Sequence, residues 1–189
     1  MKITNLSKKF GRKVIFDNLS IDIPENGVTA FWGESGRGKT TLLRIIAGLD
    51  KKYSGKIDYG NVKKISYVFQ EPRLLPACTV LENVTLPLGN SAEATEKAKE
   101  FLKKVGLEAE IDSYPDSLSG GMKTRVSIAR ALAYDGDILL LDEAFNGLDE
   151  KNAETVMDLI VEYAKNKPCL TVCHNRTHLD YLNANVINL

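Results

Sequence analysis

The amino-acid chain consists of short apolar segments that alternate with amphipathic ones. From Lys2 to Ile23, apolar and polar side chains alternate, which is typical of half-buried antiparallel strands. Further short apolar segments predict strands at 28–32, 64–69, 137–141, 169–173 and 184–187. Helical periodicity predicts helices at 40–47, 94–105, 122–133 and 153–164. Alternating strands and helices predict an α/β fold, a mostly parallel sheet wrapped by helices, preceded by an antiparallel β portion.

Composition and charge narrow the class of protein. A chain of 189 residues, 43% hydrophobic and 26% charged, favours a single globular domain over residues 1–189 and argues against disorder or collagen-like repeats. Lys+Arg and Asp+Glu are 25 each, so no overall positive field attracts nucleic acid, and we expect no nucleic-acid partner. The N-terminus lacks the apolar core of a signal peptide, and no apolar run approaches the ~20 residues of a membrane-spanning helix. We therefore expect a soluble, cytoplasmic protein.

The three cysteines are Cys78, Cys169 and Cys173. The spacing Cys169-x3-Cys173-His174 offers a metal site as an alternative. However, four residues along a predicted strand separate the two thiols by ~13 Å, too far to share a metal or form a disulfide. We therefore expect reduced, buried thiols at these two positions.

A glycine-rich segment between a predicted strand and a predicted helix matches the pattern G-x-x-x-x-G-K-[ST]. Glycines allow the backbone N–H groups to curl around phosphate oxygens, and the helix that follows adds its positive end. Lys39 is expected to reach the β- and γ-phosphates, and the Thr40 hydroxyl to bind Mg²⁺. The alternative is an ordinary turn with a surface lysine, which the flanking strand and helix argue against. The predicted nucleotide-binding residues of this phosphate loop are Gly33, Glu34, Ser35, Gly36, Arg37, Gly38, Lys39, Thr40 and Thr41.

Two carboxylates directly follow the apolar strand at 137–141. In a parallel sheet this strand end faces the ligand crevice beside the phosphate loop. Adjacent strand residues point to opposite faces, so the two acids should have different tasks. Asp142 is expected to hold Mg²⁺, and Glu143 to orient and deprotonate the attacking water. Two unremarkable carboxylates at a solvated strand end are the alternative, which the nearby Lys39 and Thr40 disfavour.

The segment Leu118-Ser119-Gly120-Gly121-Met122 opens a second helix far beyond the phosphate loop. Together with the phosphate loop, the acidic strand end and Gly147-Leu148-Asp149, it makes nearly the whole chain resemble an ATP-binding cassette (ABC) ATPase. The resemblance implies a P-loop NTPase core with an N-terminal antiparallel β subdomain and a small helical subdomain inserted at about 71–120. It also implies ATP and Mg²⁺ as cofactors.

The resemblance assigns further roles. Phe10 corresponds to the aromatic residue that stacks on adenine, and Gln70 to the Q-loop glutamine that contacts Mg²⁺ or water. His174 corresponds to the switch histidine that contacts the γ-phosphate, so Glu143, His174 and Gln70 form the implied catalytic set. Signature-loop residues Ser119, Gly120 and Gly121 would bind the ATP held by a second copy in a head-to-tail dimer, and Asp149 would cross the interface. His178 matches no motif and is expected on the surface. The chain departs from the family pattern at Met122, Thr124, Ala144 and Asn175, none of which removes a group with a direct chemical role.

The segment from Phe69 to Pro76, with Thr79 to Val84 after it, resembles the nitrate/sulfonate/taurine importer ATPases. This implies a peripheral ATPase on the inner face of the cell membrane that powers solute import through separate transmembrane permease subunits. One alternative is a soluble ABC ATPase of repair, translation or cofactor assembly, although the long coiled coils and tandem cassettes of such proteins are missing. Another is a nucleotide-binding module without turnover, which the intact Lys39, Asp142, Glu143 and His174 argue against.

Overall fold

The computed structural model describes every residue from Met1 to Leu189. The strands are β1 (Lys2–Phe10), β2 (Lys13–Asp22), β3 (Gly27–Trp32), β4 (Ser54–Asp58), β5 (Ile65–Val68), β6 (Ile138–Asp142), β7 (Pro168–Val172) and β8 (Asn185–Asn188). The α-helices are α1 (Lys39–Ile46), α2 (Val80–Thr85), α3 (Ala92–Lys104), α4 (Gly120–Tyr134), α5 (Glu150–Ala164) and α6 (Arg176–Tyr181). Single 3₁₀ turns lie at Leu86–Leu88, Glu108–Glu110 and Pro115–Ser117.

Two sheets form the framework of the chain. The larger one has five strands in the order β5-β6-β7-β3-β8, and all its neighbours pair in parallel. The smaller one has three strands in the order β2-β1-β4 and is antiparallel. The predicted α/β fold class with an N-terminal antiparallel β portion is therefore confirmed.

The parallel sheet lies between two apolar layers, and every residue of its interior strand β6 is buried. Ile138 and Leu140 face a cluster formed with α1 and the antiparallel sheet, whereas Leu139 and Leu141 face a cluster formed with α4, α5 and α6. Because both faces of β6 are covered by other elements, the strand is apolar on both faces from Ile138 to Leu141.

Helices α2, α3 and α4 share a third apolar cluster. Capping sets their starts: the Thr79 hydroxyl accepts a hydrogen bond from the Glu82 N–H, and the Glu82 carboxylate accepts one from the Thr79 N–H. Ser91 and Ser119 cap α3 and α4 in the same way, by accepting from N–H groups of the first turn. These helices lie between β5 and β6, so the predicted helical insert is confirmed, whereas its bounds at about 71–120 stay a prediction.

The sequence pattern omits three short elements. Strand β4 lies at the edge of its sheet and is mostly exposed, so it has no apolar alternation to detect. Helices α2 and α6 have six residues each, less than two turns, which is too short for a clear helical period. No helix in the chain combines the length and the apolar character needed to cross a membrane.

Candidate active site

Four neighbouring strands, β5, β6, β7 and β3, bring the predicted chemical groups to one edge of the parallel sheet. Gln70 comes two residues after β5, Glu143 directly after β6, and His174 two residues after β7. The phosphate loop begins at Gly33, directly after β3. Because parallel strands end at the same edge, groups far apart in the sequence converge there.

The phosphate loop turns on left-handed glycines and leads directly into α1. Gly36 and Gly38 have φ values of 80° and 92°, a region that most L-residues avoid. A Cβ on Gly38 would lie 2.3 Å from Cγ2 of Ile15, so this position also lacks space for a side chain. Gly38 precedes the first helical residue and offers no side-chain cap, which leaves the first-turn N–H groups of α1 available to an anion.

Lys39 is buried, with 6% of its surface exposed. Its Nζ donates to the carbonyl oxygens of Gly33, at 2.7 Å, and Glu34, at 2.8 Å, and it forms no ion pair with a carboxylate. The two carbonyls aim the ammonium into the curl of the loop. A buried cation without a countercharge in its own chain is a site prepared for an anion.

Asp142 is buried at the end of β6 and accepts hydrogen bonds from two hydroxyl groups. Thr40 donates to Oδ1 at 2.9 Å, and Tyr67 donates to Oδ2 at 3.3 Å. Burial raises the pKa of Asp142, the two hydroxyl donors oppose this shift, and the nearby Glu143 charge adds to it. A cation beside Asp142 would favour the charged carboxylate.

Glu143 lies at the centre of a polar cluster. Its Oε2 accepts from Gln70 Nε2 at 3.2 Å and from Asn146 Nδ2 at 2.8 Å, and its Oε1 lies 3.3 Å from His174 Nε2. Its backbone is left-handed, with φ of 52°, and its N–H donates to the Val172 carbonyl of β7. A non-glycine residue in this conformation is strained, which is frequent at functional sites. Glu143 and Asp142 thus have different partners, as expected of two acids with different tasks.

The phosphate loop and the Glu143 cluster line one open cleft of about 310 Å³. Its lining residues are Ile15, Ser35, Gly36, Gly38, Lys39, Thr40, Thr41, Gln70, Glu143 and His174. The predicted catalytic residues and most of the phosphate loop therefore share one space.

Other predicted residues lie outside this cleft. Phe10 is 53% exposed at the β1–β2 turn. Ser119 caps α4 by accepting from the Met122 N–H, and a Cβ on Gly121 would lie 2.9 Å from the Gly147 carbonyl oxygen. The Asp149 carboxylate caps α5 by accepting from the Asn152 N–H and side-chain amide, so it already has a structural task within its own chain. The signature segment thus contacts the loop before α5 and does not line the chain's own phosphate cleft.

Sequence reasoning missed two members of the site, Tyr67 and Asn146. Tyr67 lies in β5, three residues before Gln70, and Asn146 lies in the tight turn that follows Glu143. A polar side chain within an apolar strand, and an amide three residues after an acid, were the available signals. His178, which was expected at the surface, is partly buried, and its ring centroid lies 5.3 Å from that of the buried Phe145.

The residues present fit a nucleoside triphosphate and a magnesium ion. Lys39 supplies a buried positive charge without a carboxylate partner, and the glycine loop supplies backbone N–H groups. Thr40 and Asp142 supply the hard oxygen atoms that Mg²⁺ prefers. No group of three or more His, Cys, Asp or Glu residues could hold a metal by itself. This suits Mg²⁺, which takes one or two protein ligands together with substrate phosphates.

Comparison with known proteins shows the family of the chain. Residues 16–146 match the ABC transporter family. The aliphatic sulfonates import ATP-binding protein of Corynebacterium glutamicum is 40% identical over 92% of this chain and 73% of its own length. An uncharacterized ABC transporter ATP-binding protein of Methanocaldococcus jannaschii is 41% identical over 100% of this chain and 77% of its own length.

A solved structure shares the fold. A dimeric ATP-binding cassette in a post-hydrolysis state, bound to ADP and Pi, superposes with a TM-score of 0.86 at 33% identity, over 100% of this chain and 93% of that one. The predicted resemblance to ABC ATPases, and to importer ATPases of the sulfonate type, is confirmed by these matches. The chain therefore belongs to the ABC transporter family, as one of its ATP-binding ATPase subunits.

Proposed function

We propose that this chain binds Mg²⁺-ATP in the cleft between the phosphate loop and Glu143, and that hydrolysis there drives solute import through a separate membrane permease. The observation that carries the proposal is the cleft itself, where a buried, uncompensated Lys39 faces a carboxylate held by three side chains. One end suits the negative charge of the phosphates, and the other suits a water molecule that must lose a proton.

Lys39 and the loop N–H groups would bind the phosphates, whose charge replaces the missing carboxylate partner of Lys39. Thr40 and Asp142 would hold Mg²⁺, with Gln70 beside them at the mouth of the cleft. When bound, the metal neutralises charge on the phosphates. Phe10 would stack on the adenine, because its ring is exposed on the strand next to β2, which contributes Ile15 to the cleft.

Glu143 would act as the general base. Its carboxylate takes a proton from water, the water oxygen bonds to the γ-phosphorus, and the bond to the β,γ-bridging oxygen breaks, which yields ADP and phosphate. Gln70 and Asn146 hold the carboxylate by donating to the same oxygen, Oε2, so Oε1 is the atom left to face the water together with His174. His174 would contact the γ-phosphate, and its contact with Glu143 would report whether that phosphate is present.

A second copy of the chain would complete the site. Ser119 and Gly120 are exposed and lie outside the cleft of their own chain. The N-terminus of α4 therefore has N–H groups that are available to bind a phosphate. The ATP phosphates of its own chain would already be bound at the phosphate loop, so this phosphate would come from the ATP of another copy. Head-to-tail pairing would place this signature segment, with Asp149, against the ATP of the partner copy. Dimeric cassettes of similar fold support this arrangement.

The transport partner is proposed from the relatives. The Corynebacterium glutamicum relative is an import ATP-binding protein for aliphatic sulfonates, and a relative from Escherichia coli serves sulfate/thiosulfate import. We therefore place this chain on the inner face of the membrane, with its helical layer α2–α3 against a permease. A soluble ABC ATPase without a permease remains the competing function.

Affinity purification of the tagged chain from native membranes tests the partner. Recovery of a permease with several membrane-spanning helices supports the import proposal, and its solute-binding protein would reveal the cargo. Recovery from the soluble fraction only, with ribosomal, DNA or assembly partners, would refute it and leave the ATP chemistry intact. The Lys39→Ala variant serves as a separate control: it should lose ATP binding, and unchanged affinity would refute the phosphate-loop assignment.

A further inference from the structure

One face of the Phe10 ring is covered by a buried ammonium group. Lys8 precedes Phe10 by two residues on β1, so both side chains lie on the same side of the strand. Lys8 Nζ lies 4.6 Å from the centroid of the Phe10 ring, a distance typical of a cation–π contact. The Lys8 side chain is only 2% exposed, whereas Phe10 is 53% exposed. The covered face of the ring therefore points to the protein, and the rest is open to solvent.

Three oxygen atoms hold the Lys8 ammonium in place: both carboxylate oxygens of Asp50 and the carbonyl oxygen of Lys52. Nζ lies 2.6 Å from Oδ2 of Asp50 and donates to the Lys52 carbonyl oxygen at 2.8 Å. The Asp50 carboxylate also accepts from the Lys52 N–H at 3.0 Å, so the three residues form a closed set of contacts. This pairing lowers the pKa of Asp50, which keeps it charged. These contacts hold the buried Lys8 side chain in a single orientation. The Phe10 ring above it is restricted in turn by its contact with the Lys8 ammonium.

These acceptors belong to the segment that follows the helix of the phosphate loop. The N–H of Asp50 donates to the carbonyl of Arg44 in the last turn of α1, at 3.1 Å. The same helix begins at Lys39, at the phosphate end of the cleft. A series of contacts therefore connects α1 with the Phe10 ring, which lies on the antiparallel sheet. It runs from Arg44 through Asp50 to Lys8.

We propose that Lys8 is a positioning residue for the nucleobase end of the ATP site, acting through Phe10. The inference rests on the proposed stacking of Phe10 on adenine. By covering one ring face, the Lys8 ammonium leaves the opposite face for the base, and it restricts ring rotation before ATP arrives. A ring that is already ordered loses less conformational entropy on binding, which raises affinity without a direct contact between Lys8 and the nucleotide.

The test compares ATP with inorganic tripolyphosphate, which carries the phosphates without a base. Dissociation constants with Mg²⁺ are measured for wild type, Lys8→Met, Lys8→Arg and Asp50→Asn, each alone and combined with Phe10→Ala. Lys9→Met is the matched control, since Lys9 is adjacent on β1 but exposed and without an ion pair. Thermal unfolding of each variant separates loss of fold from loss of binding.

We expect Lys8→Met to weaken ATP binding by about three- to tenfold, the range that a cation–π contact supports, and to leave tripolyphosphate binding within about twofold. Lys8→Arg should restore most of the affinity, because a guanidinium can also pair with Asp50 and stack on the ring. In the Phe10→Ala background the Lys8→Met effect should disappear. Turnover at saturating ATP should change less than KM. If Lys8→Met does not fold, Asp50→Asn is expected to give the same ATP-specific loss.

Three outcomes would overturn the inference: an equal loss for ATP and tripolyphosphate, an undiminished loss in the Phe10→Ala background, or unchanged ATP affinity. Failure of the underlying function has a different signature. If Phe10→Ala itself binds ATP like wild type, the stacking role of Phe10 is wrong, and the role of Lys8 falls with it. If Phe10→Ala weakens ATP binding and Lys8→Met does not, only the Lys8 inference is wrong.

Discussion

The replacement Glu143→Gln removes a basic oxygen and keeps the size and shape of the side chain. Glu143 accepts from Gln70 and Asn146 through Oε2, and a glutamine carbonyl oxygen can accept both bonds. Its amide then faces His174, whose Nε2 is 3.3 Å from Oε1 in the wild type. The amide donates to that nitrogen when the imidazole is neutral, so we expect the cleft to keep its geometry. The fold should be unaffected, and removal of a charge beside Asp142 lowers the pKa of that carboxyl toward its ordinary value.

The chemical step should be slowed strongly because the amide cannot accept a proton from water. Loss of a general base lowers the rate by about 10²- to 10⁴-fold, which raises the barrier by about 2.7–5.4 kcal/mol. Phosphate release at saturating Mg²⁺-ATP measures this rate. Titration calorimetry measures ATP affinity, which should stay within about threefold of wild type. Size-exclusion chromatography with ATP should show a persistent dimer, since hydrolysis no longer reopens it.

The matched control is Glu154→Gln, an equal change of an exposed glutamate on α5. It should hydrolyse ATP like wild type. Hydrolysis by Glu143→Gln within about threefold of wild type would refute the general-base assignment. Loss of ATP binding in Glu143→Gln would refute the argument that the amide preserves the cleft.

Other predictions concern stability, the signature segment and the thiols. The hydrogen bond from Lys8 lowers the pKa of Asp50 in the fold, so its stabilising contribution is present above the ordinary pKa of about 3.9 and is lost as pH falls through the folded pKa. Asp50→Asn should have a lower free energy of urea unfolding than wild type at pH 7, and this difference should shrink as the pH falls; a difference that does not change with pH would contradict this. Gly121→Ala would place a Cβ 2.9 Å from the Gly147 carbonyl oxygen, so the loop that contains Gly147 must shift. We expect the free energy of unfolding to fall by about 1–3 kcal/mol. The control Gly120→Ala, at an exposed position with open space, should leave it unchanged. Iodoacetamide at pH 8 should label only Cys78 in the folded chain, because the other two thiols are buried and burial raises their pKa; mass spectrometry counts the labels, and more than one in the native state would contradict it.

Elements whose chemistry or periodicity is local were predictable from the amino-acid sequence. The phosphate loop was predictable because its glycines, its lysine and its threonine all lie within one short segment between a strand and a helix. Strand β6 and helix α5 were predictable because β6 is apolar from Ile138 to Leu141 and α5 carries an apolar stripe. Elements without such a pattern, such as the exposed β4, were not.

Long-range packing determines which of these segments come into contact. Gln70, Glu143 and His174 converge because β5, β6 and β7 are neighbours in the sheet, an order that no local pattern contains. The same holds for the pairing of Lys8 with Asp50 beside Phe10, which depends on how the antiparallel sheet packs on α1. A local motif specifies which chemical groups are present. Long-range packing sets the distances between them and their burial, and these determine what Glu143 and Lys8 can do.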